Sequence, residues 1–68
     1  MDGLMIKKDN NTILISGTSD DLQDFIDYIT KLINEKSINS HIHLDDLTLI
    51  SKSSEIKELI IEKIVKGD

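Results

Sequence analysis

Two histidines and an aspartate alternate with apolar residues in the segment His41-Ile42-His43-Leu44-Asp45. Successive side chains of a β-strand point to opposite sides of the sheet, so the two histidines and Asp45 share one face and Ile42 and Leu44 the other. Two imidazoles and one carboxylate, completed by water, form a known catalytic zinc ligand set. The same pattern is also typical of the wet face of a half-buried strand, and of a polar surface that contacts a partner.

Metal catalysis needs more than this segment supplies. Metallo-hydrolases take further ligands from distant elements and need a pocket for substrate, whereas this chain of 68 residues has no third histidine and little depth for a cleft. The absence of cysteine excludes disulfides and thiolate metal sites, and no nucleophile elbow or phosphate-binding loop is present. We therefore predict no enzymatic activity and no cofactor. The alternative is a metal-binding module or small metal-dependent hydrolase that uses His41, His43 and Asp45.

Four aspartates crowd the start of a predicted helix: Asp20, Asp21, Asp24 and Asp27. Helix N-termini favour carboxylates because of capping and the helix dipole, which is one sufficient explanation of the cluster. The functional explanation is a docking surface for a basic protein, since complementary charge raises association rates and sets specificity. Together with the histidine strand, this cluster forms the predicted partner-binding surface.

Composition narrows the classes of partner. The net charge is −5 and arginine is absent, and arginine is the preferred side chain for phosphate and guanine recognition. With two aromatic residues in the chain, Phe25 and Tyr28, there is no stacking platform for bases either. We therefore expect no nucleic-acid partner. No apolar run is long enough to span a bilayer and the N-terminus lacks signal-peptide features, so we expect no membrane association and a cytoplasmic location.

The pattern of apolar residues predicts the elements. Strand-like runs at residues 4–8 and 12–16 flank a turn cluster at residues 9–11, which indicates a β-hairpin. A capping-box-like Thr18 precedes a helix predicted at residues 19–34. Residues at helical spacing define its apolar stripe: Leu22, Phe25, Ile26, Ile29, Leu32 and Ile33. Further strands are predicted around the histidine segment, at residues 47–50, and at residues 58–65, where a helix is the alternative.

These elements give an α+β fold in the order ββαβββ, with one small antiparallel sheet covered on one face by a single amphipathic helix. The whole chain, residues 1–68, is one predicted domain. The uncovered face of the sheet would carry leftover aliphatic residues, which indicates a partner or a homodimer through that face. The residues expected on it are His41, His43, Asp45, Thr12, Ser16, Leu14 and either Ile60 or Ile61.

The chain resembles one family of small immunity proteins of bacterial polymorphic toxin systems, the one numbered thirty-two in that series. The similarity covers roughly residues 13–64. Its most distinctive part is the H-x-H-L-D element at His41–Asp45. The other matching parts are residues 15–17, 20–22 and 58–61, together with Leu49 and Ser54. Ile56 and Lys57 are an insertion relative to the family pattern.

This resemblance implies an α+β fold and a non-enzymatic cytoplasmic antidote that binds and blocks a cognate toxin, with His41, His43 and Asp45 matching the family motif. Many secreted toxins are nucleases with basic surfaces, which an acidic protein can occlude. A regulatory subunit or an anti-defence inhibitor of phage origin shares the size and acidity and is a further alternative.

Overall fold

The computed structural model describes residues 3–36 and 40–64. Four strands and one helix follow one another along the chain in the order ββαββ, so the predicted α+β class is confirmed. Their bounds are β1 Met5–Asp9, β2 Thr12–Ser16, α1 Ser19–Ile33, β3 His41–Asp45 and β4 Glu58–Glu62.

Strands β1 and β2 form the predicted hairpin. They pair antiparallel from Asp9↔Thr12 to Met5↔Ser16, with a two-residue turn at Asn10 and Asn11. Asn10 has φ 55°, a left-handed conformation that asparagine tolerates better than most residues. The turn residues thus fix the register of the hairpin.

Helix α1 begins at the predicted capping box. The Asp21 N–H donates to Thr18 Oγ1 and the Thr18 N–H donates to Asp21 Oδ2, both at 3.1 Å. At the other end, the Asn34 N–H donates to the carbonyl of Thr30, and the Lys63 ammonium contacts the carbonyls of Ile33 and Glu35. A cation at this end complements the negative pole of the helix dipole.

Removing the cap is expected to destabilise the protein. Thr18→Ala deletes the oxygen that accepts the Asp21 N–H, so we expect a loss of about 1 kcal/mol in the free energy of unfolding, measured by urea titration. Ser19→Ala is the matched control, because Ser19 is exposed and lies one residue inside the helix. Equal losses in the two variants would contradict a capping role for Thr18.

The strand predicted at residues 47–50 is wrong. Residues 46–49 form a turn, and Ile50 makes one isolated parallel bridge with Leu4. The carbonyl oxygen of Asp45 accepts the N–H groups of Thr48, Leu49 and Ile50. Because one carbonyl collects three successive donors, the chain curls tightly here and cannot extend as a strand.

The last segment is a strand, and the sheet is divided. β4 pairs antiparallel with β3, from His41↔Glu62 to Asp45↔Glu58. The predicted single sheet is instead two two-stranded sheets, β1–β2 and β3–β4. β4 ends at Glu62, so the predicted strand is too long at residues 63 and 64, and its last residue, 65, lies outside the described residues.

The chain between the turn and β4 joins the two sheets. Leu4 exchanges backbone hydrogen bonds of 2.8 Å with Leu49 and Ser51. Farther along β1, the Ile6 N–H donates to Ser54 Oγ at 2.8 Å and the Ile6 carbonyl accepts the Ile56 N–H. The 49–56 segment therefore runs along the outer edge of β1.

The buried core lies where these parts meet. Its central residues are Leu4, Ile6, Leu44, Leu49 and Ile50. Helix α1 packs on it through Phe25 and Tyr28, and Leu32 is also buried. No helix in the described part of the chain is both long and apolar enough to cross a membrane.

Candidate partner-binding surfaces

The histidine face has the predicted orientation. His41 and His43 are exposed on one side of β3, whereas Leu44 on the other side is fully buried. The two imidazole rings meet edge to face, with centroids 4.9 Å apart. His43 Nδ1 lies 3.1 Å from Glu58 Oε2, and both side chains are about half exposed. Water screens such an exposed pair, so its contribution to stability is small.

Asp45 does not extend this face as a free carboxylate. Its Oδ1 accepts the N–H of Leu47 at 3.0 Å and lies 3.2 Å from the hydroxyl of Thr48. The Asp45 N–H in turn donates to Thr48 Oγ1 at 2.9 Å. These bonds hold the Asp45 side chain against the turn that follows β3.

The structure does not bring the predicted zinc ligands together. In residues 3–36 and 40–64, no group of three or more His, Cys, Asp or Glu side chains is arranged to hold a metal ion. The two histidines contact each other, but the Asp45 carboxylate is bonded to the turn. The arrangement thus offers a polar, partly aromatic contact surface.

Strand β4 completes this surface with Glu58, Ile60 and Glu62, of which the sequence predicts only Ile60, as one of two alternatives. In the observed register His41 faces Glu62, His43 faces Ile60, and Asp45 faces Glu58. Ile60 is 55% exposed, so it is the isoleucine on the open side, and Ile61 packs on the core. The result is an apolar centre ringed by imidazoles and carboxylates, which we call the His–Glu face.

The predicted open face is divided like the sheet that should carry it. Thr12, Leu14 and Ser16 belong to the β1–β2 sheet, while the histidines and Ile60 belong to the β3–β4 sheet. Each sheet presents its own surface, and the homodimer through the open sheet face stays a prediction.

The four aspartates have two different roles. Asp20, Asp24 and Asp27 are exposed, and Asp27 Oδ1 accepts a hydrogen bond from Gln23 at 3.1 Å. Asp21 is 2% exposed and belongs to the capping box. Its Oδ1 is buried and has no hydrogen-bond partner among the described residues. Asp21 therefore has a structural role, and the available acidic surface is formed by the other three.

Helix α1 buries only part of its apolar stripe. Leu22 is 40% exposed, Ile26 53% and Ile33 63%. Together with Ile29 they repeat at spacings of four, three and four residues, which places them in one row along the helix. We call this row the α1 stripe. The sequence predicts these residues as part of the apolar stripe of the helix, and the structure leaves three of them exposed.

The exposed aspartates lie on a different flank of α1 from this row, because an α-helix turns by roughly 100° per residue. Asp24 and Asp27 line a hollow together with Tyr28, Lys31 and Leu49. Helix α1 thus presents an exposed apolar row on one flank and exposed carboxylates on another, and the two together suit a partner with apolar and basic groups.

Two small antiparallel sheets and one packed helix define the chain as a small α+β protein. Comparison with protein-family models, curated proteins and solved structures found no match.

Proposed function

We propose that this protein is a non-enzymatic protein-binding module, and specifically an immunity protein that binds and neutralises a cognate bacterial toxin in the cytoplasm of the producing cell. The observation that carries the proposal is the α1 stripe, an exposed apolar row on a helix that also carries three exposed aspartates. The resemblance to an immunity family supports the same conclusion.

The α1 stripe has the physical properties of a contact surface. Scattered exposed apolar residues are ordinary in folded proteins, but a row of them along a helix exposes a continuous apolar patch. Burying such a patch against a partner removes apolar area from water, worth roughly 25 cal/mol per Å² before the costs of association. Amphipathic helices commonly bind in this way, with anchors one helical turn apart.

The negative charge of the chain favours a basic partner. The chain carries −5 overall, and Asp20, Asp24 and Asp27 concentrate exposed negative charge on the same helix as the stripe. Opposite charge on a basic toxin would accelerate encounter and orient it, with an effect that weakens as salt is added. The His–Glu face is a second contact area in this proposal, with His41 and His43 as polar contacts.

Co-expression with the toxin encoded beside this gene tests the proposal. We expect protection of the cell and a stoichiometric complex of the two purified proteins. Ile26→Ser should weaken the complex about tenfold or more in calorimetry, because it removes a central apolar anchor. Leu47→Ser is the matched control, since Leu47 is 83% exposed on the turn outside the stripe.

Two results would contradict the proposal. The first is growth arrest by the toxin despite expression of the protein, with no complex formed. The second is an Ile26→Ser complex as tight as that of Leu47→Ser, which would remove the α1 stripe from the interface. Circular dichroism of both variants checks that neither has lost its fold.

A further inference from the structure

The two edges of the β1–β2 hairpin differ in their hydrogen bonding. On the β1 side, Leu4 bonds to Leu49 and Ser51, and Ile6 bonds to Ser54 and Ile56. The Lys8 N–H continues the row with Glu55 Oε1 at 3.3 Å. The 49–56 segment therefore covers the outer edge of β1.

The β2 side has no such cover among the described residues. Antiparallel pairs alternate between hydrogen-bonded and non-hydrogen-bonded. Ile6 and Lys8 direct their backbone groups away from β2, so their register partners Ile15 and Ile13 direct theirs away from β1. No described contact outside the hairpin satisfies these outward groups of Ile13 and Ile15.

The side chains of β2 do nothing to protect this edge. The strand reads Thr-Ile-Leu-Ile-Ser, with Ile13 49% and Leu14 57% exposed. Natural edge strands are usually guarded by charges, prolines or bulges that prevent pairing with another chain. β2 has no charged residue and no proline, and its five residues pair with β1 without a bulge.

We propose that β2 pairs antiparallel with β2 of a second copy of this chain, across a two-fold axis at Leu14. In this register Ile13 of each copy pairs with Ile15 of the other copy. The outward N–H and C=O groups of these residues then form four hydrogen bonds between the two strands. Leu14 faces its own counterpart as a non-hydrogen-bonded pair, with the two leucines in contact on the exposed side.

A second copy suits this edge better than an unrelated strand. The register is self-complementary, as a two-fold interface requires. Although each chain carries −5, the paired strands are uncharged. Lys7 pairs with Leu14 in each hairpin, so the two Lys7 side chains are the nearest like charges in line with the two-fold axis. They would be about 14 Å apart, which is beyond one Debye length.

Pairing also relieves a weakness of the fold. A two-stranded sheet alone is marginally stable, whereas three or more strands with an apolar face are not. The dimer would join two hairpins into one four-stranded sheet in the order β1–β2–β2–β1. Oligomerisation is a common way for chains of this size to compensate for a small core. This inference uses an edge separate from the α1 stripe and the His–Glu face, and it does not rest on the proposed toxin partner.

A single cysteine tests the register, because the native chain has none. Non-hydrogen-bonded antiparallel pairs place Cα atoms about 4.5 Å apart, within the range that disulfides span. Leu14→Cys should therefore form a disulfide-linked dimer under mild oxidation. Ile60→Cys is the matched control, a comparably exposed strand residue on β4. Cross-linking of Leu14→Cys no faster than that of Ile60→Cys would overturn the proposed axis.

Sedimentation equilibrium of the unmodified chain tests the dimer itself. We expect a monomer–dimer equilibrium, and Leu14→Lys should raise its dissociation constant about tenfold or more, because two ammonium groups would face each other across the axis. Ile60→Lys should leave it unchanged. A native chain that stays monomeric up to roughly 1 mM would overturn the proposal, including the case in which β2 pairs only with another protein.

Discussion

Gly3→Ala is expected to destabilise the folded protein by about 3 kcal/mol or more. Gly3 has φ +87°, a backbone conformation that residues with a Cβ atom rarely adopt. A Cβ atom at this position would overlap the carbonyl oxygen of Leu49 and lie 3.0 Å from the nitrogen of Ser51. Those are the two groups that bond to Leu4, so relief of the overlap breaks the link between β1 and the 49–56 segment.

Such a loss is severe for a small domain. At roughly 0.05–0.15 kcal/mol per residue, a chain of this length has a total stability of about 3–10 kcal/mol. Urea unfolding of Gly3→Ala and of Gly3→Asn separates the two causes, because asparagine tolerates positive φ but still carries a Cβ. We expect both variants to be strongly destabilised. Recovery of most of the stability in Gly3→Asn would show that φ, and not the contact with Leu49, is the constraint. A loss below about 1 kcal/mol in both would contradict the crowding.

The elements with local signals were predictable from the sequence. The capping box and apolar periodicity predicted helix α1 to within one residue of its observed end. Alternation predicted the observed bounds of β2 and the location of β3. Each of these signals depends only on residues a few positions apart, so it can be read from a single sequence. Asp45-Asp46 indicated the start of a turn, but its extent over residues 46–49 was not predicted, because Leu47-Thr48-Leu49-Ile50 has the composition of a strand. Hydrogen bonds to Asp45 decide its conformation.

The candidate surfaces were predictable to a similar extent. Alternation alone placed His41 and His43 on the open side of β3. It could not supply Glu58 or decide between Ile60 and Ile61, because these positions depend on the register between two strands far apart in sequence. For Asp21 the sequence allowed two roles and could not decide between them. Its sequence position suits both an acidic patch and a cap, and only the packing of the helix start makes it buried.

Ser54 has a structural role that could not be predicted from the residues around it in the sequence. It lies outside any helix or strand, before β4, yet it is 2% exposed. Its Oγ accepts the Ile6 N–H at 2.8 Å and lies 2.7 Å from the carbonyl oxygen of Ile56. One hydroxyl therefore substitutes for a strand neighbour at the buried edge of β1.

Ser54→Ala is accordingly expected to reduce the free energy of unfolding by about 2–3 kcal/mol, because it leaves the buried Ile6 N–H without a partner. Ser53→Ala is the matched control, since Ser53 is the preceding residue and is exposed. Urea titration measures both losses, and amide hydrogen exchange at Ile6 should accelerate in Ser54→Ala alone. Equal stability of the two alanine variants would show that water or a shifted backbone replaces the hydroxyl. The edge of β1 would then be held by its bonds to Leu49, Ser51 and Ile56 without Ser54.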